Sequence, residues 1–378
     1  MTDTSFTIDS ADHRSVSYGP GHVLIIAELG TSHGGSAAKA RELVDAAAES
    51  GADCVKFQIV YADEILHPNT GEVVLPGGRI RLYDRFKQLE CDIGFYGDLK
   101  DYAESRGLLF LASPFGIRSA QELRSLKPRL LKVASPELNY TGLLTELASY
   151  GLPCLLSTGV SRLADIEAAL EIFPPRLACL LHCVTAYPAP EHDYNLNILP
   201  NLAAIFGCPV GVSDHSADPE MVPSLAAAVG AAVIEKHFCL SREDPGLDDP
   251  IAQPPADFTR MVRAVRTVEP LVLMGREAAL DEMRRERGRD AVSAVLGDGI
   301  KRLAPSEAAN YERTNRSIHA LRDILAGSTL EPGDFAVLRT EKILRPGLHP
   351  SWEPKLAGKK TTRFIPAGEG IRFEDLLG

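Results

Sequence analysis

The chain's 378 residues exceed one ordinary core of ~150 residues but suit one large barrel with a small appendage. Hydrophobic residues make up 45% and charged residues 24%, a globular composition that excludes a disordered chain. Lys and Arg number 40 against 51 Asp and Glu, and a net charge of -11 excludes a general nucleic-acid binder, which needs a basic footprint.

Residues 1–22 are expected to form a short β-hairpin-like extension. Short apolar runs then alternate with amphipathic helical stretches. In order they are VLIIAELG (Val23–Gly30), CVKFQIV (Cys54–Val60), LLFLASPF (Leu108–Phe115) and LLKVASPE (Leu130–Glu137). PCLLSTG (Pro153–Gly159), ACLLHCV (Ala178–Val184), PVGVSDHS (Pro209–Ser216) and AAVIEKHF (Ala231–Phe238) follow. Gly51, Gly107, Gly151 and Gly230 stand where a helix would stop before the next strand. Continuous apolar strands alternating with helices imply a parallel sheet with a covered outer face, and eight such units predict a (β/α)8 TIM barrel over 23–278.

The loop from Tyr61 to Asp92 is long enough to be functional, and its PNTGEVVLPGG portion reads as a small hairpin or lid. The stretch 279–312, with LDEMRRERGRD, reads as a charged helix or linker lacking an apolar face wide enough for a core. RSIHALRDI, FAVLRTE and TTRFIPAGEGI give 313–378 the look of a small β-rich domain, near the lower size limit for folding alone. Seven cysteines (Cys54, Cys91, Cys154, Cys179, Cys183, Cys208, Cys239) form no CxxC pair and read as buried free thiols of a reducing compartment. The N-terminal MTDTSFTIDSADH has no signal-peptide pattern, and no apolar run nears the ~20 residues of a membrane span. A cytoplasmic protein without membrane or nucleic-acid partners is expected.

Barrels of this type carry their chemistry at the C-terminal ends of the strands, and polar residues collect there. They include Glu28 and His33 after the first strand, Lys56 and Gln58 on one face of the second, and Ser113 on the third. Lys132, Ser135 and Glu137, then Ser157 and Thr158, then His182, Thr185 and Tyr187 follow. The last two strands supply Ser213, Asp214 and His215, and Glu235 and His237. Lys56 and Lys132 beside Ser113, Ser135, Ser157 and Ser213 suit a small phosphorylated or carboxylated anion. The plainer alternative is that each lysine neutralises Glu28, Glu137 or Glu235 inside the barrel. Lys132 could also form a Schiff base. His215 and His237 close adjacent strands and can converge on one open-site divalent ion, Mn²⁺ or Mg²⁺ rather than a closed zinc site. Glu235 and Asp214 stand near enough in sequence to support them, while His182, Cys183 and Cys239 read as wall or packing residues.

IIAELGTSHGG, GADCVKFQ, LASPF, LKVASPEL, LSTGV, HCVTAYPAP, GVSDHS and IEKHF occur in an order and spacing that resemble the sialic acid synthase family. NRSIHALRDILAGSTL, RPGLHP and LAGKKTTRFIPAGEGI resemble the antifreeze-like (SAF, β-clip) domain those enzymes carry. The resemblance implies a phosphoenolpyruvate-dependent synthase of nonulosonic acids. In that family enolpyruvate C3 attacks the open-chain aldehyde of an N-acetylated hexosamine, water attacks C2, and phosphate leaves by C–O cleavage. It implies that Lys56, Ser113, Lys132, Ser135, Ser157, Thr185 and Ser213 bind phosphoenolpyruvate, and that His215 and His237 ligate a divalent metal, Mn²⁺ foremost. Glu28, Gln58, Glu137, Tyr187 and Glu235 would then be catalytic, and Tyr187, Asp248 and Arg316 sugar-binding. It further implies a domain-swapped homodimer in which the small domain lends an arginine to the neighbouring sugar pocket, Arg316 first and Arg313 next.

Several positions depart from the family pattern. Ser32, His33, Gly34 and Gly35 replace NHNG or NHEG, ASPFG with Gly116 replaces STPFD, and PGLDD keeps Asp248 but has Asp249 in place of His. Thr185 stands where Asn or Ser is common. These changes suggest an acceptor other than N-acetylmannosamine, such as a diacetamido or deoxy sugar. The rival readings are a Schiff-base aldolase built on Lys132 and a non-catalytic binding relative of the family.

Overall fold

The computed structural model describes residues 5–9, 15–75, 78–341 and 343–377. Each of the eight apolar runs contains one strand: β1 (Leu24–Gly30), β2 (Cys54–Ile59), β3 (Leu109–Pro114), β4 (Leu131–Val133), β5 (Cys154–Ser157), β6 (Ala178–Cys183), β7 (Val210–Asp214) and β8 (Val233–His237). They form one parallel sheet in the order β3-β2-β1-β8-β7-β6-β5-β4, and β3 packs beside β4 to close the cylinder. One main helix follows each strand: α1 (Ala37–Glu49), α2 (Ile93–Ser105), α3 (Ile117–Ser125), α4 (Thr141–Ala148), α5 (Leu163–Ile172), α6 (Ile198–Phe206), α7 (Met221–Ala228) and α8 (Pro255–Met274). Gly51 after α1 (φ +87°) and Gly230 after α7 (φ +98°) adopt the left-handed conformation that lets the chain turn back into a strand.

Strand periodicity of two divides the barrel into an apolar floor and a polar mouth. On β1, Leu24 and Ile26 lie below Glu28; on β2, Cys54 lies below Lys56 and Gln58; on β8, Val233 lies below Glu235 and His237. The floor is stoppered by an antiparallel pair, Phe6–Asp9 with Ser15–Tyr18, whose Ile8 and Tyr18 join Leu111, Leu155, Leu181 and Val233 in one apolar cluster. Each such side chain buried stabilises the fold by about 1.5–3 kcal/mol. Residues 1–4 and 10–14 of the expected extension lie outside the described residues.

Three features differ from, or sharpen, the expectation. The long loop after β2 holds a short helix (Ala62–Ile65), an antiparallel pair (Glu72–Leu75 with Gly78–Arg81) and a helix (Leu82–Leu89), residues 76–77 lying outside the described set. The stretch expected as a linker is packed: α9 (Arg276–Arg287) buries Ala279, Leu280 and Met283, and α10 (Arg289–Leu296) buries Val292, Val295 and Leu296. Its few apolar residues recur at helical spacing, and the surrounding charge hides that stripe. The C-terminal segment pairs β9 (Arg316–Ala320) with β10 (Phe335–Arg339) and β11 (Lys360–Thr361) with β12 (Leu376–Leu377), both antiparallel, and rests on the mouth of its own barrel. All seven cysteines are free and six are buried. Among the described residues, no helix is long and apolar enough to cross a membrane.

Alternation also explains a buried ion pair outside the barrel. Between inward Glu235 and His237, Lys236 points into the helical layer, where its ammonium meets Asp214 and donates to the Ser216 carbonyl at 2.8 Å. Asp214 thus pairs with Lys236, and its charge still favours the protonated form of His215. Lys236 and Asp214 are 2% and 1% exposed, so removing one partner strands a charge. Lys236→Met is expected to lower unfolding free energy by about 3–5 kcal/mol in urea titrations, and adding Asp214→Asn to recover much of that loss.

Candidate active site

A cavity of about 300 Å³ opens at the C-terminal ends of the strands. Thirteen of the expected site residues line it: Glu28, Lys56, Gln58, Lys132, Ser135, Ser157, Thr185, Tyr187, Ser213, His215, Glu235, His237 and Asp248. Ladder register produces much of this convergence. His237 stands opposite Glu28, Glu28 opposite Lys56, Cys183 opposite Ser213, and Ser213 opposite Glu235 on neighbouring strands.

The floor of the cavity is a charge network. Lys56 lies 2.9 Å from Glu28 and 3.6 Å from Glu235, and Gln58 donates to Glu28 at 2.7 Å. Lys132 donates to Ser157 Oγ at 2.6 Å and to the Val133 carbonyl at 3.0 Å, while Glu235 is 3.9 Å away. The plainer ion-pair reading therefore holds for Glu28 and Glu235, but Lys132 is compensated only at a distance. Burial opposes the Lys56 ammonium, but Glu235 and Glu28 outweigh it and raise its pKa. For Lys132 burial prevails and the pKa falls. Burial also opposes the Glu235 carboxylate, yet Lys132 and Lys56 hold its pKa at about 2. Thr185 contributes a buried hydroxyl with no partner among the described residues.

His215 and His237 lie with ring centroids 5.5 Å apart. Tyr187, half exposed, stacks on His215 at 4.3 Å and meets His237 edge-on at 6.2 Å. His215 Nδ1 lies 2.9 Å from the Val184 carbonyl, which can only accept, so this nitrogen carries the proton and Nε2 is the one left for the cavity. Burial disfavours a charged His215, but Cys183, 3.7 Å away, tips the balance and raises its pKa to about 9. Burial lowers that of His237, whose Nδ1 is 3.9 Å from Asp248. Among the described residues no three His, Cys, Asp or Glu side chains form a closed metal cage. The two rings fit an open site: His237 offers a neutral imidazole, and His215 offers Nε2 once its proton is displaced.

Three expected residues fall outside the cavity wall. Ser113, level with Gln58 on the neighbouring strand, accepts from Lys56 at 3.4 Å. Glu137 is fully buried and accepts from both Arg316 Nε at 3.0 Å and Arg339 Nη2 at 2.7 Å. Arg316 does not face the cavity. Its guanidinium is enclosed and donates to Glu137 and to the carbonyls of Glu64, Phe115 and Val337. Arg339 lines the cavity instead. It sits directly opposite Arg316 across the β9–β10 pair, so pairing RSIHA with FAVLR in register would have revealed it. Arg313 does not line the cavity. Within the one chain, the arginine at its cavity is Arg339 of its own C-terminal unit. The sequence also left unnoticed an apolar wall of Ile65, Leu82, Phe86, Phe115, Leu247 and Ile251.

Two departures from the family pattern are internally compensated. A side chain at Gly116 would begin 2.4 Å from the Glu64 carboxyl. Glu64 accepts from the Arg118 and Ser119 N–H groups at 2.7 and 3.1 Å, supplying the N-terminal cap of α3 that Gly116 lacks. Ser32 donates to buried Asp249, which also accepts the Gly246 N–H at 2.9 Å, so these two changes form one structural pair.

The NeuB family model matches residues 43–277 and the SAF domain model residues 315–377. The spore coat polysaccharide biosynthesis protein SpsE of Bacillus subtilis is 32% identical over 94% of each chain. Its crystal structure superposes with a TM-score of 0.80 at 31% identity, covering 99% of each chain. The N,N'-diacetyllegionaminic acid synthase of Legionella pneumophila is 31% identical over 93% of this chain and 94% of its own. The N-acetylneuraminic acid synthetase of Leptospira borgpetersenii, solved in complex with citrate, is 29% identical with a TM-score of 0.65, covering 75% of this chain and 99% of its own. Matched along nearly its whole length, with its strand-end motifs gathered on one cavity, the chain belongs to the NeuB family.

Proposed function

We infer that the chain is a phosphoenolpyruvate-dependent synthase that joins the enolpyruvyl unit to an N-acetylated aldose, giving a nonulosonic acid and phosphate. The observation that carries this reading is the meeting of two buried ammonium groups and two imidazoles on one cavity. Lys132 with Ser157, Ser135 and Thr185 is the proposed seat of phosphate and carboxylate oxygens, with Lys56 and Ser213 closing it from the opposite side. Lys132, its pKa lowered by burial, is suited to pass a proton to departing phosphate. Glu235, held ionised, serves as acceptor only. Glu28, fixed by Lys56 and Gln58, is the proposed acceptor for a proton of the attacking water.

His215 and His237 are the residues that would hold a divalent cation, Mn²⁺ before Mg²⁺, and the ion would polarise the aldehyde oxygen as a Lewis acid. Tyr187 and Asp248 border the same end and are the proposed contacts for sugar hydroxyls, with Arg339 in the role foreseen for Arg316. The apolar wall favours an acceptor carrying methyl groups, as in acetamido and deoxy sugars, over a fully hydroxylated one. The free, buried thiols are consistent with a cytoplasmic setting.

Replacing either His215 or His237 by Ala is expected to lower cation-dependent phosphate release by at least about 100-fold. Loss of Mn²⁺ binding in calorimetry should accompany it, and normal turnover of the double variant would sink the ligand assignment. Arg339→Ala is expected to raise the sugar KM about tenfold while leaving the phosphoenolpyruvate KM in place. Arg316→Ala, which empties a buried ion pair, should instead lower the melting temperature by several degrees, roughly 4 °C or more. A phosphate-release screen across N-acetyl and diacetamido hexoses, with mass spectrometry of the product, reads the acceptor.

A further inference from the structure

The segment between α10 and β9 touches the cavity nowhere, yet it grips the two loops that carry the cavity's hydroxyl side. Glu307 is 1% exposed. Its Oε2 accepts the N–H groups of Val160 at 2.9 Å and Thr185 at 2.8 Å, and its Oε1 accepts that of Ala304 at 3.2 Å. Asn315 Nδ2 donates to the Val160 carbonyl at 3.1 Å, Asn310 Nδ2 to the Thr185 carbonyl at 3.0 Å, and Lys301 Nζ to the Thr158 carbonyl at 3.0 Å.

These contacts act on a strained turn. Val160 has φ +42°, in the left-handed region that a β-branched residue avoids. Its N–H and its carbonyl are both held by the segment. Just before it, Gly159 donates to Ser135 Oγ at 3.0 Å, and a side chain there would start 2.2 Å from Thr185 Oγ1. Ser157, the close partner of Lys132, opens the same turn. Relaxing Val160 toward ordinary backbone would therefore move Gly159 and disturb Ser135, Ser157 and Thr185 together.

We propose that Glu307 is a positioning residue for the anion end of the cavity. It clamps the strained Ser157–Val160 turn to the Thr185 loop, so that the hydroxyls around Lys132 face the bound anion without first having to be ordered. The identity of that anion as phosphoenolpyruvate rests on the functional reading above.

The test compares the wild-type chain with Glu307→Gln, which is isosteric but sets an N–H against one of the three donors, and with Asn315→Ala, which frees the Val160 carbonyl and the Glu312 N–H but leaves the Glu307 clamp in place. Phosphate release with Mn²⁺ and a turned-over aldose gives KM for each substrate, and the rise in melting temperature on adding phosphoenolpyruvate alone gives a readout without turnover. For Glu307→Gln the phosphoenolpyruvate KM should rise about tenfold and its thermal shift shrink, with kcat and sugar KM within about twofold. Asn315→Ala should move the same way by less, and it decides the matter should Glu307→Gln not fold. A lower melting temperature with unchanged phosphoenolpyruvate KM, or a parallel rise for both substrates, overturns the proposal. A wild-type chain that neither releases phosphate nor gains stability with phosphoenolpyruvate overturns the functional reading and this proposal with it. An active wild type with variants unchanged overturns this proposal alone.

Discussion

Glu235 stands 3.6 Å from Lys56 and 3.9 Å from Lys132, and through it two buried ammonium groups are kept inside the barrel. An isolated buried charge would be neutralised or expelled. One carboxylate between two lysines solves that without cancelling both, because Glu28 completes Lys56 while Lys132 leans on Ser157 and a carbonyl. The residual positive character is therefore placed on the side of the cavity lined by hydroxyls. The same alternation that turns Glu235 inward turns Lys236 outward to Asp214, so the run Glu-Lys-His serves the cavity and the helical jacket at once.

The C-terminal unit attaches by a comparable arrangement, two arginines on one carboxylate. Arg316 and Arg339 both bind Glu137 Oε1, and Arg316 also takes carbonyls from the loops after β2 and β3. Arg316 is wholly enclosed and acts as the anchor, which leaves Arg339 as the member that reaches the cavity. Placement of Arg339 thus depends on how the small unit seats, and the seating depends on the long loop after β2, whose Asn69 and Glu64 also contact it.

Strands and cavity floor were legible because both follow from local rules. Apolar runs ending in polar residues mark barrel strands, and period two decides which of those residues meet. What stayed hidden depends on partners far away in sequence. Glu307 looked like one more charge in a charged stretch, yet the N–H groups it accepts belong to residues 122 and 147 positions earlier. The missing carboxylate at Gly116 resembled a specificity change until Glu64 was found in its place. Arg316 was the natural arginine to choose from its motif, and only strand pairing distinguishes the anchor from its neighbour across the ladder.

The stopper formed by Ile8 and Tyr18 makes the barrel a blind well. Among the described residues the cavity opens at the other end, with half-exposed Tyr187 at its rim and Lys132 in its depth. A molecule seated on the lysines would lie beneath one seated at Tyr187, so the inner guest would enter first and leave last. Geometry would then set an order of arrival and release, even if each molecule has no preference of its own.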